Sequence, residues 1–178
     1  MDAPSLIGAP RFVHTYSRYS VGPELAVDGG GVLASAVWPT ANKAFYFPFG
    51  LPFRFNVRRM FVANGGTVSG NFDIGIYTLD GKRIYASGST AQAGTTALQY
   101  VSLSTELILP PDAYYLALAF DNTTATTQRN AAAGINGVRA MGVLQETSAF
   151  ALPASMTPAA VSAVYVPLFG ITSTSSGF

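Results

Sequence analysis

Between Asn71 and Asp121, apolar and polar positions alternate with a two-residue period that turn residues interrupt. In NFDIGIY, Phe72, Ile74 and Ile76 share one side of the chain and Asp73, Gly75 and Tyr77 the other, the pattern of a half-buried strand. Asp80-Gly81 then predicts a tight hairpin, because glycine takes a positive φ at little steric cost. Residues 88–96, GSTAQAGTT, read as an exposed polar loop before a strand carrying Tyr100, Val101 and Leu103. Leu107 to Pro111 leads to a turn at Asp112, and the apolar run Ala113–Phe120 predicts a central strand buried on both sides.

Upstream, Ala44–Phe49 and Phe53–Val62 are strand candidates separated by Gly50-Leu51-Pro52. Phe53, Phe55 and Val57 share one face of the second, so Arg54, Asn56 and Arg58 face outward, and Asn64-Gly65-Gly66 makes the next turn. Residues 1–22, in which Phe12, His14 and Tyr16 alternate, suit an N-terminal arm or edge strand, leaving 23–178 as one sandwich domain. Downstream, the small polar stretch after Asp121 reads as a loop, followed by strands over Val138–Leu144 and Val161–Ile171, the latter bent at Pro167. Residues 149–160 look irregular, with Thr157-Pro158 able to begin one helical turn. The sum is an all-β chain with little helix: an antiparallel β-sandwich of jelly-roll type with eight or nine strands.

Composition changes the picture in one respect. Only 11% of the 178 residues are Asp, Glu, Lys or Arg, against about 25% in an ordinary soluble domain. Such a surface is either solvated by Ser, Thr, Asn and Gln or covered by neighbouring subunits, and the second reading is adopted. A formal net charge of +1, with cations scattered apart from Arg58-Arg59, gives no basic field for nucleic acid. The absence of cysteine excludes disulfides and thiolate chemistry. MDAPSLIGAPRF lacks the features of a secretory signal, so synthesis without export is expected. The uncharged stretch from Thr147 is broken by Pro153, Pro158 and Pro167, so no membrane insertion is expected.

Candidate chemistry is sparse. His14 is the single histidine and lies among aromatics, so it reads as structural rather than catalytic. Glu24, Asp28, Asp73, Glu106, Asp112, Asp121 and Glu146 form no recognisable glycosidase pair, and Asp80 and Asp112 read as turn formers. Asp73, Asp121 and Asn122 are the residues able to converge on calcium at one end of a sandwich, without the spacing of a known calcium loop. The DGGG at Asp28–Gly31 lacks the lysine and hydroxyl of a phosphate loop, and Asn122-Thr123-Thr124 matches a glycosylation acceptor. Tyr16, Tyr19, Trp38 and Tyr46 are the aromatics able to stack on a sugar, although core or interface placement is the commoner use. No catalytic, cofactor-binding or metal residue is assigned.

The run Gly75-Ile76-Tyr77, Asp80-Gly81, Ser87-Gly88, Leu109-Pro110 and Tyr114 to Ala117 resembles a pattern in small β-sandwich virion proteins of tailed bacteriophages, in head decoration, tail and receptor-binding components. The likeness spans about 50 residues, and Pro111-Asp112-Ala113 departs from the usual proline-glycine turn. It implies a scaffold and a setting but no catalytic residue. The resulting expectation is a non-enzymatic structural protein, made in the host cytoplasm and located on the virion exterior. It would form a homo-oligomer, a trimer, against capsid or tail proteins. The alternative is a receptor- or carbohydrate-binding head whose loops at 88–96 and 121–137 meet a host surface glycan.

Overall fold

A computed structural model describes residues 14–16, 20–23, 33–130 and 134–173, with side chains from 33 onward. Its centre is a strand triplet. β4 (Lys43–Leu51) and β6 (Asn71–Thr78) flank β10 (Asp112–Phe120), all antiparallel, with Leu116 opposite both Phe47 and Ile76. β7 (Arg83–Ala86) returns from β6 through the Asp80-Gly81 hairpin, where Gly81 has φ +84° and the Thr78 amide donates to the Lys82 carbonyl at 2.9 Å. β8 (Thr90–Ala91) also pairs with β6, while β12 (Leu144–Glu146) and β13 (Ala159–Ala160) extend the sheet beyond β4.

The facing sheet runs β1 (His14–Tyr16), β2 (Ser20–Pro23), β14 (Phe169–Thr172), β5 (Phe55–Ala63), β9 (Leu98–Leu109). β3 (Leu33–Val37) and β11 (Thr126–Asn130) form a separate antiparallel ribbon. Take β2, β4, β5, β6, β7, β9, β10 and β14 in chain order. One sheet then holds the first, eighth, third and sixth, and the other the second, seventh, fourth and fifth. The chain therefore crosses between sheets repeatedly, and all-β antiparallel stacking is the result. Fourteen strand segments occur among the described residues, against the eight or nine expected, because short pieces such as β8 and β13 give no pattern of their own.

Phe45, Phe47 and Phe49 of β4 and Ile74 and Ile76 of β6 meet Val57, Met60 and Phe169 of the other sheet in one core. The Phe47 and Phe169 rings cross edge-to-face at 5.4 Å between the layers. Trp38 anchors one end: its ring lies 4.8 Å from Phe120 and 5.2 Å from Tyr165, and Nε1–H donates to the Lys43 carbonyl at 3.0 Å.

Several expectations need correction. β6 is buried on both faces rather than one, with Asp73 and Tyr77 at 0% exposure. Its second face is covered by residues 147–158, which lie on Ala44, Ala117, Ala119 and Gly75. Those residues are small, and a Cβ on Gly75 would lie 2.9 Å from Leu152 Cδ1, so the close approach requires glycine. Of the strand expected over Val138–Leu144 only Leu144, the first residue of β12, is strand, and Val138–Ala140 belong to helix α1 (Ile135–Ala140). Gly142 at φ +74° ends it, with Gly142 N bonded to Arg139 O and Val143 N to Val138 O in the paired pattern of a glycine C-cap. The strand expected over Val161–Ile171 is confined to β14, because Pro167 has no N–H for a ladder. Thr157-Pro158 begins no helix and leads into β13.

Residues 88–96 are pinned by Gln92, 7% exposed, whose side chain bonds Asn64, Ser69 and the Thr126 carbonyl. The stretch expected as a loop after Asp121 contains β11 and α1. Among the described residues no helix is long and apolar enough to cross a membrane.

Candidate functional site

The ladder between β5 and β9 is interrupted. Val57 pairs with Leu107 and Arg59 with Ser102, so Arg58 alone stands opposite residues 103–106. The surplus chain in β9 bows away from its partner, as bulges do, and opens a concavity of about 270 Å³ lined by Arg58, Arg59, Ser102, Leu103 and Glu106. The same irregularity turns two consecutive arginines away from the core, since Val57 and Met60 on either side point inward at 0% exposure. Arg58 Nε donates to Glu106 Oε1 at 3.3 Å, with both side chains partly open to solvent. Arg59 is 7% exposed and places its guanidinium 4.2 Å from the centre of the Tyr100 ring, which in turn packs at 6.2 Å on Phe61. The cavity thus combines two cations, one anion, one hydroxyl and a neighbouring aromatic pair.

A second polar cluster lies on the opposite side of the sandwich, under the 147–158 strap. Leu152 N donates to Asp73 Oδ2 at 2.9 Å and Ser87 Oγ to Oδ1 at 3.1 Å. Burial raises the Asp73 pKa above the usual carboxylate value, although these bonds and a nearby Arg83 oppose the shift. Tyr77 OH donates to Pro153 O at 2.7 Å, and Arg83 Nη1 donates to Leu152 O. Tyr46 OH donates to Glu146 Oε2 at 2.8 Å, and Thr157 donates to the same carboxylate through N and Oγ1. Desolvation drives both buried phenols upward in pKa, reinforced at Tyr46 by its bond to Glu146. The bonds to Leu152, Pro153 and Thr157 fasten the strap to the sheet, so the cluster is structural.

The residues singled out from sequence fall into place as follows. Asp73 is committed to the strap, whereas Asp121 accepts from Asn71 N and Nδ2 at 2.9 and 2.8 Å. Partial desolvation raises the Asp121 pKa, but the bonds from Asn71 and Asn122 outweigh it and the net shift is downward. Asn122 is used up by Ser69 O, Asp121, and the amides of Thr124 and Ala125. Among the described residues no group of three or more His, Cys, Asp or Glu side chains is placed to hold a metal ion. Trp38 and Tyr46 are at 0% exposure and present no ring to a sugar. Asp112 bonds its neighbour's amide, Ala113 N, at 2.8 Å, and Asp80 bonds Thr78 and Lys82 at the hairpin. Glu24, Asp28, Tyr19 and the DGGG segment lie outside the described residues, as do the side chains of His14 and Tyr16.

Sequence reasoning noted the Arg58-Arg59 doublet only as an exception to scattered charge. The missed signal was Ser104-Thr105-Glu106, three polar residues in a row inside an otherwise alternating strand. Comparison with protein-family models, curated proteins and solved structures found no match.

Proposed function

We propose that this chain is a non-enzymatic structural protein that assembles with copies of itself, as a trimer, on the outside of a tailed-phage particle, against capsid or tail proteins. The observation that carries this reading is the use of the carboxylates. All six described acidic residues bond groups of the chain itself: Asp73, Asp80, Glu106, Asp112, Asp121 and Glu146. General acid–base chemistry needs a carboxylate aimed at a substrate, and these are spent on holding the scaffold. The interleaved strand order supports a jelly-roll arrangement, an architecture that viral capsid domains share with lectins and cupins. The phage setting rests on the sequence resemblance around Gly75–Ala117.

Apolar residues stand exposed on three edges: Leu33 and Val37 on β3, Leu79 and Ile84 at the β6–β7 hairpin, Phe53 and Ile108 beside the β5–β9 end. Different edges on one molecule favour a heterologous contact that closes into a ring. At about 25 cal/mol per Å² of apolar area, such a contact can supply several kcal/mol per subunit. Mass measurement across a dilution series, followed by mixing with phage heads and tails, tests the proposal. A trimer that joins one of these particles is the expected result. A chain that stays monomeric at every concentration and joins neither refutes it.

A further inference from the structure

We infer that the outer edge of β3 is a docking strand for a second copy of this chain, the two β3 strands pairing antiparallel about a two-fold axis at Ser35. This goes beyond the assembly reading and does not depend on it, because Leu79, Ile84, Phe53 and Ile108 on the other two edges remain for a ring. Trp38 N donates to Ala125 O at 2.9 Å, one step beyond the pair of Val37 with Thr126. Bonded pairs alternate with unbonded ones in an antiparallel ladder, so Ala36 with Thr127 and Ala34 with Arg129 are the bonded pairs. The N–H and C=O groups of Leu33, Ser35 and Val37 therefore point away from β11. On β11 the matching outward groups are taken: Gly65 N donates to Thr126 O, Thr126 N to Thr67 O, Leu168 N to Gln128 O and Asn130 N to Val166 O. Among the described residues none takes those of β3.

Nothing guards this edge. Leu33 and Val37 are 43% and 55% exposed, and LASAV has no charge, proline or bulge to discourage pairing. By contrast, β9 is broken by its bulge and carries Glu106, and the outer side of β7 is taken where Arg83 N donates to Ala154 O. The order of residues selects a second copy as the occupant. Counted outward from Ser35 in both directions, the strand has alanine at one step and a branched apolar residue at two. A two-fold pairing sets Leu33 of one copy against Val37 of the other and Ser35 against Ser35, so each of three pairs can exchange two backbone bonds. With both strands uncharged, no like charges meet across the axis. A slip by one residue would turn the outward groups against inward ones and lose those bonds. The strand is also preformed, since Ser35 Oγ accepts from Gly66 N at 2.9 Å and Trp38 is fixed in the core, which leaves little ordering to binding. Five residues of edge bury far less than the roughly 1,200–2,000 Å² of a standard interface, so the pair is weak and forms at high concentration.

The test is sedimentation equilibrium of the full chain, with amide hydrogen exchange, from about 1 to 500 μM. A two-fold association with a Kd of about 10–100 μM is expected. The amides of Leu33, Ser35 and Val37 should exchange quickly in dilute solution and become protected on concentration, whereas those of Ala34 and Ala36, bonded to β11, should be protected throughout. Val37→Lys, at a site more than half exposed, should weaken association by about tenfold or more with an unchanged melting temperature. The chain has no cysteine, so single-cysteine variants report the register. Ser35→Cys should cross-link to itself on oxidation, because directly opposed bonded residues lie about 5.5 Å apart, and Leu33→Cys should cross-link to Val37→Cys but not to itself. Protection of the Leu33, Ser35 and Val37 amides at every concentration would show the chain's own residues on this edge and overturn the inference. A monomer across the whole range would do the same, as would an oligomer that Val37→Lys leaves intact, the last result sparing the ring of the assembly reading.

Discussion

Replacing Asp73 with alanine isolates what the strap contributes to the fold. The carboxylate accepts from Leu152 N and Ser87 Oγ in a site at 0% exposure, and Leu152 itself is 2% exposed. On truncation Ser87 can keep its hydroxyl bonded to the Gly88 carbonyl at 3.1 Å, whereas the Leu152 N–H loses the acceptor it donates to. A buried unsatisfied amide costs about 1–3 kcal/mol. Removing a desolvated charge returns part of this, so the net loss should be about 2 kcal/mol. In a domain of this size that corresponds to a fall in Tm of about 4–8 °C at neutral pH. Asp73→Asn keeps one acceptor for Leu152 and should lose less than the alanine variant.

The two variants also differ from the parent in pH response. Asp73 has a folded pKa raised above its ordinary value of 3.8. Its contribution is therefore fully present below 3.8 and lost as pH rises through the folded value. Scanning calorimetry from acid to neutral pH should show that decline in the parent and not in Asp73→Asn. Hydrogen exchange at the Leu152 amide gives a local readout, with faster exchange expected in Asp73→Ala. If the alanine variant melts within 1 °C of the parent, by the same conversion of about 2–4 °C per kcal/mol, and Leu152 exchanges no faster, the strap is not held by this carboxylate.

Asp121 should show the opposite sign: its folded pKa is lowered, so its contribution is present above 3.8 and lost as pH falls through the folded value. Asp121→Asn should flatten the acid limb of the stability curve, and an unchanged acid limb contradicts the assignment. Gly70→Ala should destabilise by about 2 kcal/mol or more, because φ is +58° and a Cβ would run into Asn122 and Asp121. Gly88→Ala, with φ +71° but open space around it, should cost only about 1 kcal/mol, and equilibrium denaturation of the pair separates steric from conformational cost. Tyr46, Tyr77 and Tyr165 have phenol pKa values pushed up by burial, so absorbance titration of the native protein should leave them un-ionised where free tyrosine titrates. Uniform titration of all nine tyrosines without unfolding would contradict their burial.

Strand identity was legible wherever a strand carries its own periodicity. Phe72, Ile74 and Ile76 point into the core as their spacing requires, and Asp80-Gly81 turns the chain where expected. What covers a sheet from outside was not legible, because the strap arrives from 79 residues downstream, as at Leu152 and Asp73, and its irregular backbone has no period. Gly75, Ala117 and Ala119 still carried a trace of it, since small residues on an outward face make room for a close neighbour. Helix α1 escaped notice because INGVRA has a glycine and an asparagine in six residues and depends on burying Val138. The candidate cavity was half visible. The arginine doublet stands out in the sequence, but facing it with Glu106 needs the bulge register of β9, which is a property of the pairing rather than of either strand.

These two sites divide the sandwich unequally. The seven-stranded sheet is closed on its outer side by the chain's own strap, whose polar contacts are satisfied within the molecule. Among the described residues, the arginine pair, Tyr100 and Phe61 all belong to the five-stranded sheet, on the side away from the core. Changes beneath the strap should therefore lower stability. Changes at Arg58 or Glu106 should have little effect on melting, because a partly exposed ion pair contributes only about 0–1 kcal/mol to folding.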